Sequence, residues 1–189
     1  LFSDEYPALV ERFDGRGLYD EDTGHAFQPY VIKEINGVRI AVVGQAFPRT
    51  ANANPKEFFP DWSFGLREDD MTELVEQIRG DESPDAVVLV SHNGMDVDIK
   101  MAGRVPGLNA VFGGHTHDGC PLPVKVKNPA GHYCWVTNAG SNGKFVGCMD
   151  FKFGDGSLEG LSYQMFPVIS NWLDAVSYTH LRAHETFAN

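Results

Sequence analysis

At 189 residues the chain is long enough for one domain with a hydrophobic core and short for two. Its 15 Lys and Arg against 26 Asp and Glu give a formal net charge of −11, which excludes a surface built to clamp a nucleic-acid backbone, where cations must cluster. An anionic substrate stays open, because bound divalent cations reverse a local potential, but no apolar run reaches membrane-spanning length.

The chain opens on Leu1-Phe2-Ser3-Asp4-Glu5, with neither the basic start nor the apolar stretch of a signal peptide. The expectation is a chain that begins in mid-protein or after processing. Residues 1–29 are polar and aromatic and read as an irregular segment. Tyr30 to Ile35 is a strand, Asn36-Gly37 a two-residue hairpin turn, and Val38 to Val43 the returning strand. Gln45 to Gly65 is a long loop rich in Pro, Asn and Phe, of a length usually kept for function or held by its own side chains. Arg67 to Arg79 carries Met71, Leu74, Val75 and Ile78 at helical spacing, with Glu68, Asp69 and Asp70 suited to the positive end of the helix dipole.

Ala86 to Val90 is a continuous β-branched run and reads as a buried strand. Asp96 to Val105 is a short helix, and Asn109 to Phe112 a second buried strand ending in Gly113-Gly114. Tyr133 to Asn138, Phe145 to Phe153 and Leu158 to Phe166 are strands, the last two joined by a turn at Gly154-Asp155-Gly156. Strands with interleaved helices followed by a run of strands predict a layered α/β core whose central sheet is partly antiparallel. Cys120, Cys134 and Cys148 are an odd number at wide spacing and make neither a zinc pair nor a disulfide framework.

The tail stands apart. Val176-Ser177-Tyr178-Thr179-His180-Leu181-Arg182-Ala183-His184 looks like one reading frame through a sequencing-library adapter. Residues 176–189 are therefore expected to be no part of the natural protein. His180 and His184 stand four apart, a zinc spacing on a helix, but the adapter origin explains them better.

The chemistry is concentrated where two buried strands end. One delivers Ser91-His92-Asn93-Gly94, the other Gly113-Gly114-His115-Thr116-His117-Asp118. In open α/β sheets, ligand sites lie beyond the carboxyl ends of strands, so both motifs are placed to meet at one edge. His115 and His117, one residue apart in an extended loop, would point to opposite sides of the backbone and serve two adjacent ions rather than one. The preceding glycines permit close approach to an ion. His92 adds a third imidazole, and the donor type leaves zinc, iron, nickel and manganese open. Singly, each histidine is more readily a hydrogen-bonded loop residue. Three together, after buried strands and beside glycines, point to a metal pair that activates water against an anionic ester-like substrate.

These blocks resemble the calcineurin-like metallophosphoesterase superfamily, whose last two motifs are a strand followed by His and then Gly-His-x-His. Within it the chain is similar to the branch that holds the 5′-nucleotidases and the SoxB-type thiosulfohydrolases, more closely to the second. That closer likeness rests on Gly44-Gln45-Ala46-Phe47-Pro48, Phe59-Pro60-Asp61-Trp62-Ser63-Phe64-Gly65, Ser91 to Asp98, Gly114 to Asp118 and Gly140-Ser141-Asn142-Gly143-Lys144-Phe145, and it runs through nearly all of residues 1–170.

The resemblance implies an α/β fold, a layered metallophosphoesterase-type β-sandwich flanked by helices, here incomplete. Residues 1–175 would be the C-terminal part of that domain. It implies two divalent metal ions, manganese in the SoxB-type enzymes, with His92 and His115 on one and His117 on the other. It implies a periplasmic hydrolase that releases sulfate from a cysteine S-thiosulfonate on a sulfur-carrier protein, with no nucleic acid as partner. The family's earlier blocks, Asp-x-His, Gly-Asp-x-x-Asp and Gly-Asn-His-Asp/Glu, and its C-terminal nucleotide-binding domain are not in this chain. The catalytic residue is thus expected upstream of Leu1, and the chain alone is expected to be inactive and to bind metal weakly.

Asn93 and Asp118 are candidates for supporting the ligands or meeting substrate. Asp118 is either an acceptor for a ligand histidine's second N–H or a turn-stabilising residue. For Asn93, fixing the loop is the simpler role. Arg49 and Lys144 can meet an anion or can be solvated surface charges. Phe58, Phe59 and Trp62 suit burial of the long loop better than a carrier-peptide surface. His25 and His132 read as structural. Two other functions compete: a 5′-nucleotidase or other phosphomonoesterase on the same metal pair, and a non-catalytic binding module that keeps the fold.

Overall fold

The structure is a computed structural model and describes residues 28–55, 57, 63–154 and 157–169. The irregular reading of residues 1–27, the adapter-like tail with His180 and His184, and His25, Phe58, Phe59 and Trp62 all lie outside the described residues.

The chain runs β1 (Tyr30–Ile35), β2 (Val38–Gln45), α1 (Thr50–Ala53), α2 (Glu68–Asp81), β3 (Ala86–Ser91), α3 (Met95–Ala102), β4 (Ala110–Gly113), β5 (Val124–Lys127), β6 (Tyr133–Asn138), β7 (Phe145–Gly154) and β8 (Ser157–Pro167). Six strands form one sheet in the order β1-β2-β3-β4-β6-β5, and β7 and β8 form a separate antiparallel ribbon. The centre of the sheet is parallel, from β2 through β3 and β4 to β6, and both edges are antiparallel. This is the expected α/β class with a partly antiparallel sheet. The expected hairpin forms as read, with positive φ at both Asn36 (52°) and Gly37 (80°), the mirror-image turn that matches strand twist.

Strand parity explains the core. Ala41 and Val43, Val87 and Leu89, Val111, and Cys134 and Val136 are all buried, and the register aligns them in a row on one face of the sheet. Met71, Val75 and Ile78 of α2 and Met95, Met101 and Ala102 of α3 pack onto that face. Each Val, Ile or Met side chain among these contributes about 1.5–3 kcal/mol when fully withdrawn from water. The other face is less covered: Val90 is 50% exposed. Burial in the apolar core pushes the Cys134 thiol up to about 12, so it behaves as a hydrophobic residue.

The sequence reading missed two elements. The turn α1 sits inside the long loop, and β5 is an edge strand of only four residues. The second helix ends at Ala102 rather than Val105, with Gly103 closing it through an N–H bond to the Ile99 carbonyl.

Parallel pairing brings the carboxyl ends of four neighbouring strands to one edge. Gln45 of β2 lies beside Ser91 of β3, and Gly113 of β4 beside Asn138 of β6. The loops that follow carry Phe47, His92 and His115.

Candidate functional site

The first loop is a tight connection from β3 to α3. The His92 N–H donates to the Gln45 carbonyl at 3.1 Å, which prolongs the β2–β3 ladder by one residue. On either side of His92, Ser91 and Asn93 turn inward and are buried, while the His92 ring stays exposed. Ser91 Oγ donates to Asp98 Oδ1 at 2.6 Å, and the Asn93 N–H donates to Ser91 Oγ at 3.1 Å. Asn93 Nδ2 donates to Gln45 Oε1 at 2.9 Å and to Asp98 Oδ1 at 3.3 Å. Asn93 is thus hydrogen-bonded within the loop. Gly94 begins α3 at φ 98°, and a Cβ there would stand 2.8 Å from Thr116 Cγ2 of the second loop, so only glycine lets the two loops pass.

The second loop departs from the expected geometry. His115 (φ 73°) and His117 (φ 59°) are both left-handed, not extended, so the alternation of an extended chain does not set their directions. The physical reason lies in where the loop is tied. Thr116 Oγ1 accepts the first helical N–H of α3, from Met95, at 3.0 Å. The Asp118 carbonyl accepts the Gly140 N–H at 2.8 Å, and the Cys120 N–H reaches the Asn138 carbonyl at 2.9 Å. A chain pinned this closely must turn sharply, and two non-glycine residues take left-handed angles that cost about 1–2 kcal/mol each. The Asp118 carboxylate accepts the Thr116 hydroxyl, so the bond it makes here is within the turn.

The two loops bring histidines together. The His92 and His115 rings are 5.1 Å apart between centroids at an interplanar angle of 60°. Phe47, from the loop after β2, lies 4.0 Å from the His115 ring and 6.1 Å, edge-on, from His92. His117 is exposed one residue beyond Thr116. An open cleft of about 410 Å³ is lined by His115 with Phe47, Pro48, Arg49, Asn93 and Val97. Lys144 does not line that cleft, and its N–H closes a turn onto the Ser141 carbonyl. His132 closes a separate turn with Asn128.

Asp98 is the residue that sequence reasoning missed. It is 0% exposed, and burial pushes its carboxyl above the usual carboxylate range, opposed by the Ser91 and Asn93 hydrogen bonds and by the nearby charge of His92. Its Oδ2 has no hydrogen-bond partner among the described residues. A Cβ on Gly113 would sit 2.5 Å from that oxygen, so the glycine before Gly114 makes room for a carboxylate rather than for an ion. The one available signal was its position six residues after His92, within the short helix expected from Asp96.

Two facing imidazoles fit part of a metal shell, since nitrogen ligands at about 2.0–2.1 Å from a shared ion bring their rings into this range. Among the described residues, no three His, Cys, Asp or Glu side chains gather closely enough to hold an ion.

A helix-flanked, largely parallel sheet with histidine loops at its carboxyl edge is the mixed α/β architecture of metallophosphoesterase-like proteins. Comparison with known proteins refines that class. No family model matches the chain. It is 31% identical over 176 residues to protein UshA of Yersinia enterocolitica, covering 80% of this chain and 32% of that protein. It is 28% identical to a 5′-nucleotidase of Vibrio parahaemolyticus over 80% of this chain and 31% of the relative. The structure matches the sulfate thiohydrolase SoxB of Thermus thermophilus with a TM-score of 0.79 at 29% identity, over 98% of this chain and 34% of that one. The homologues are thus UshA/5′-nucleotidase and SoxB-like proteins of the calcineurin-like phosphoesterase/5′-nucleotidase family. The chain spans about a third of the length of each. Among the described residues no helix is long and apolar enough to cross a membrane.

Proposed function

We propose that this chain carries the C-terminal share of a two-metal hydrolase site, with His92 and His115 as ligands of one ion and His117 as a ligand of the other. The observation that carries the reading is the meeting of the His92 and His115 rings, 5.1 Å apart, where two parallel strands end. The ions, manganese in this reading, would supply an activated water and neutralise charge developing on an anionic substrate. The protein's own residues do the rest. Ser91 and Asn93 hold the His92 turn, Phe47 backs the His115 ring, and Arg49 gives the adjoining cleft a cation for an anionic group.

For the substrate, the reading is a cysteine S-thiosulfonate on a sulfur-carrier protein, hydrolysed to release sulfate in the periplasm. The extent of the likeness to SoxB, 98% of the chain, supports it. A sulfonate shares the tetrahedral oxygens and negative charge of a phosphoryl group, so one metal pair serves either. The 31% identity to UshA supports a second reading, a 5′-nucleotidase, equally well.

The test joins the chain to its upstream coding sequence and measures sulfate freed from a thiosulfonate-loaded carrier against phosphate freed from a nucleotide. Sulfate release is the expected result, and phosphate release with no sulfate would assign the nucleotidase instead. The 189-residue chain alone is expected to free neither.

A further inference from the structure

We infer that Asp98 is a positioning residue of this site: its buried carboxyl, acting through Ser91 and Asn93, fixes the turn that aims His92 at His115. The functional meaning of that aim rests on the metal-site reading above, but the geometry stands without it.

The His92 ring is exposed and takes no side-chain hydrogen bond among the described residues; its edge-on contact with Phe47 and its approach to His115 start from where its backbone places the Cβ. That backbone is fixed from both sides by one acceptor. Asp98 Oδ1 receives Ser91 Oγ at 2.6 Å and Asn93 Nδ2 at 3.3 Å, and these two residues flank His92. Ser91 Oγ in turn receives the Asn93 N–H at 3.1 Å, closing a small ring of bonds around the histidine's own residue. Asn93 also reaches Gln45 Oε1 at 2.9 Å, which ties the turn to the strand bearing the Phe47 loop. On its other side the carboxyl fills the space over Gly113, two residues before His115. One side chain thus touches the supports of both histidine loops. A fully buried carboxylate is costly where nothing demands it. In this reading the buried carboxyl holds one geometry of the turn, a role that an apolar side chain of the same size could not fill.

The test is made on the isotopically labelled, metal-free chain by nuclear magnetic resonance. The wild-type protein is expected to show through-space contacts from the His115 ring to His92 and to Phe47. Asp98→Ala is expected to lose the His92–His115 contact and keep His115–Phe47. Asp98→Asn, which preserves an acceptor oxygen for Ser91 and Asn93, is expected to restore it. If Asp98→Ala does not fold, Ser91→Ala removes a donor at small volume cost and is read the same way. A His92–His115 contact of wild-type strength in Asp98→Ala or Ser91→Ala, or its equal loss in Asp98→Asn, overturns the inference. No metal or substrate enters the measurement, so failure of the hydrolase reading would leave this result intact, and the reverse.

Discussion

The two histidine loops leave adjacent parallel strands and reach the same edge, yet they are held by opposite means. The loop of His92 is fixed by buried side chains, with Ser91, Asn93 and Asp98 bonded to one another beneath an exposed ring. The loop of His115 and His117 is exposed from His115 to Gly119 and fixed by left-handed backbone angles, by the Thr116 hydroxyl that accepts the first N–H of α3, and by backbone bonds to the end of β6 and just beyond it. The contrast shows that a histidine can be aimed either by satisfying a buried polar group or by straining a turn. The first kind fails when a core residue changes and the second when a backbone angle is relaxed.

Substitutions can separate the two. The largest effect is expected from Gly113→Val, which drives its Cβ to within 2.5 Å of Asp98 Oδ2 and attacks the buried support. Overpacking of this kind costs about 1–3 kcal/mol, and the midpoint of urea unfolding should fall accordingly. A smaller change of opposite sign is expected from His117→Gly. Removing the Cβ at φ 59° relieves left-handed strain, offset by added backbone freedom, for a net gain under about 1 kcal/mol. Thermal unfolding that shows His117→Gly clearly destabilised would mean that this loop, too, is held by side-chain packing.

The subtlest test is of pH. Burial raises the Asp98 carboxyl, so the folded chain binds that proton more tightly than the unfolded chain. Its contribution to stability is therefore most favourable at acid pH and is lost as pH climbs from the ordinary value of 3.8 through the raised one. The unfolding free energy of the wild type minus that of Asp98→Asn should fall across that window and then level. A difference that rose with pH would mean that the hydrogen bonds outweigh burial.

Much of this was legible in the residues. Val87-Val88-Leu89-Val90 and Val111-Phe112 read as buried strands because continuous β-branched and aromatic runs suit a sheet covered by helices. Asn36-Gly37 read as a hairpin because few other pairs take positive φ twice. The histidines stood out through the glycines before them. Val124-Lys125-Val126-Lys127 was passed over because four alternating residues at an edge carry little periodic signal, even though Lys125 sits 3.9 Å over the Tyr133 ring. Asp98 was hidden because a carboxylate in a short helix looks like a solvated charge, and only the fold reveals that it faces Ser91. The left-handed angles at His115 and His117 were hidden because they arise from ties to α3 and β6, which are distant in sequence.

The proposed site requires His92 and His115 to address a common ion. Titrating the labelled chain with manganese and following the imidazole signals tests this directly, because a bound paramagnetic ion broadens nearby nuclei. Early and concerted broadening of His92 and His115, abolished for both by either His92→Ala or His115→Ala, is the result expected. Broadening that spares these rings while acidic surface residues respond, or that strikes His92 and His115 independently, would contradict it.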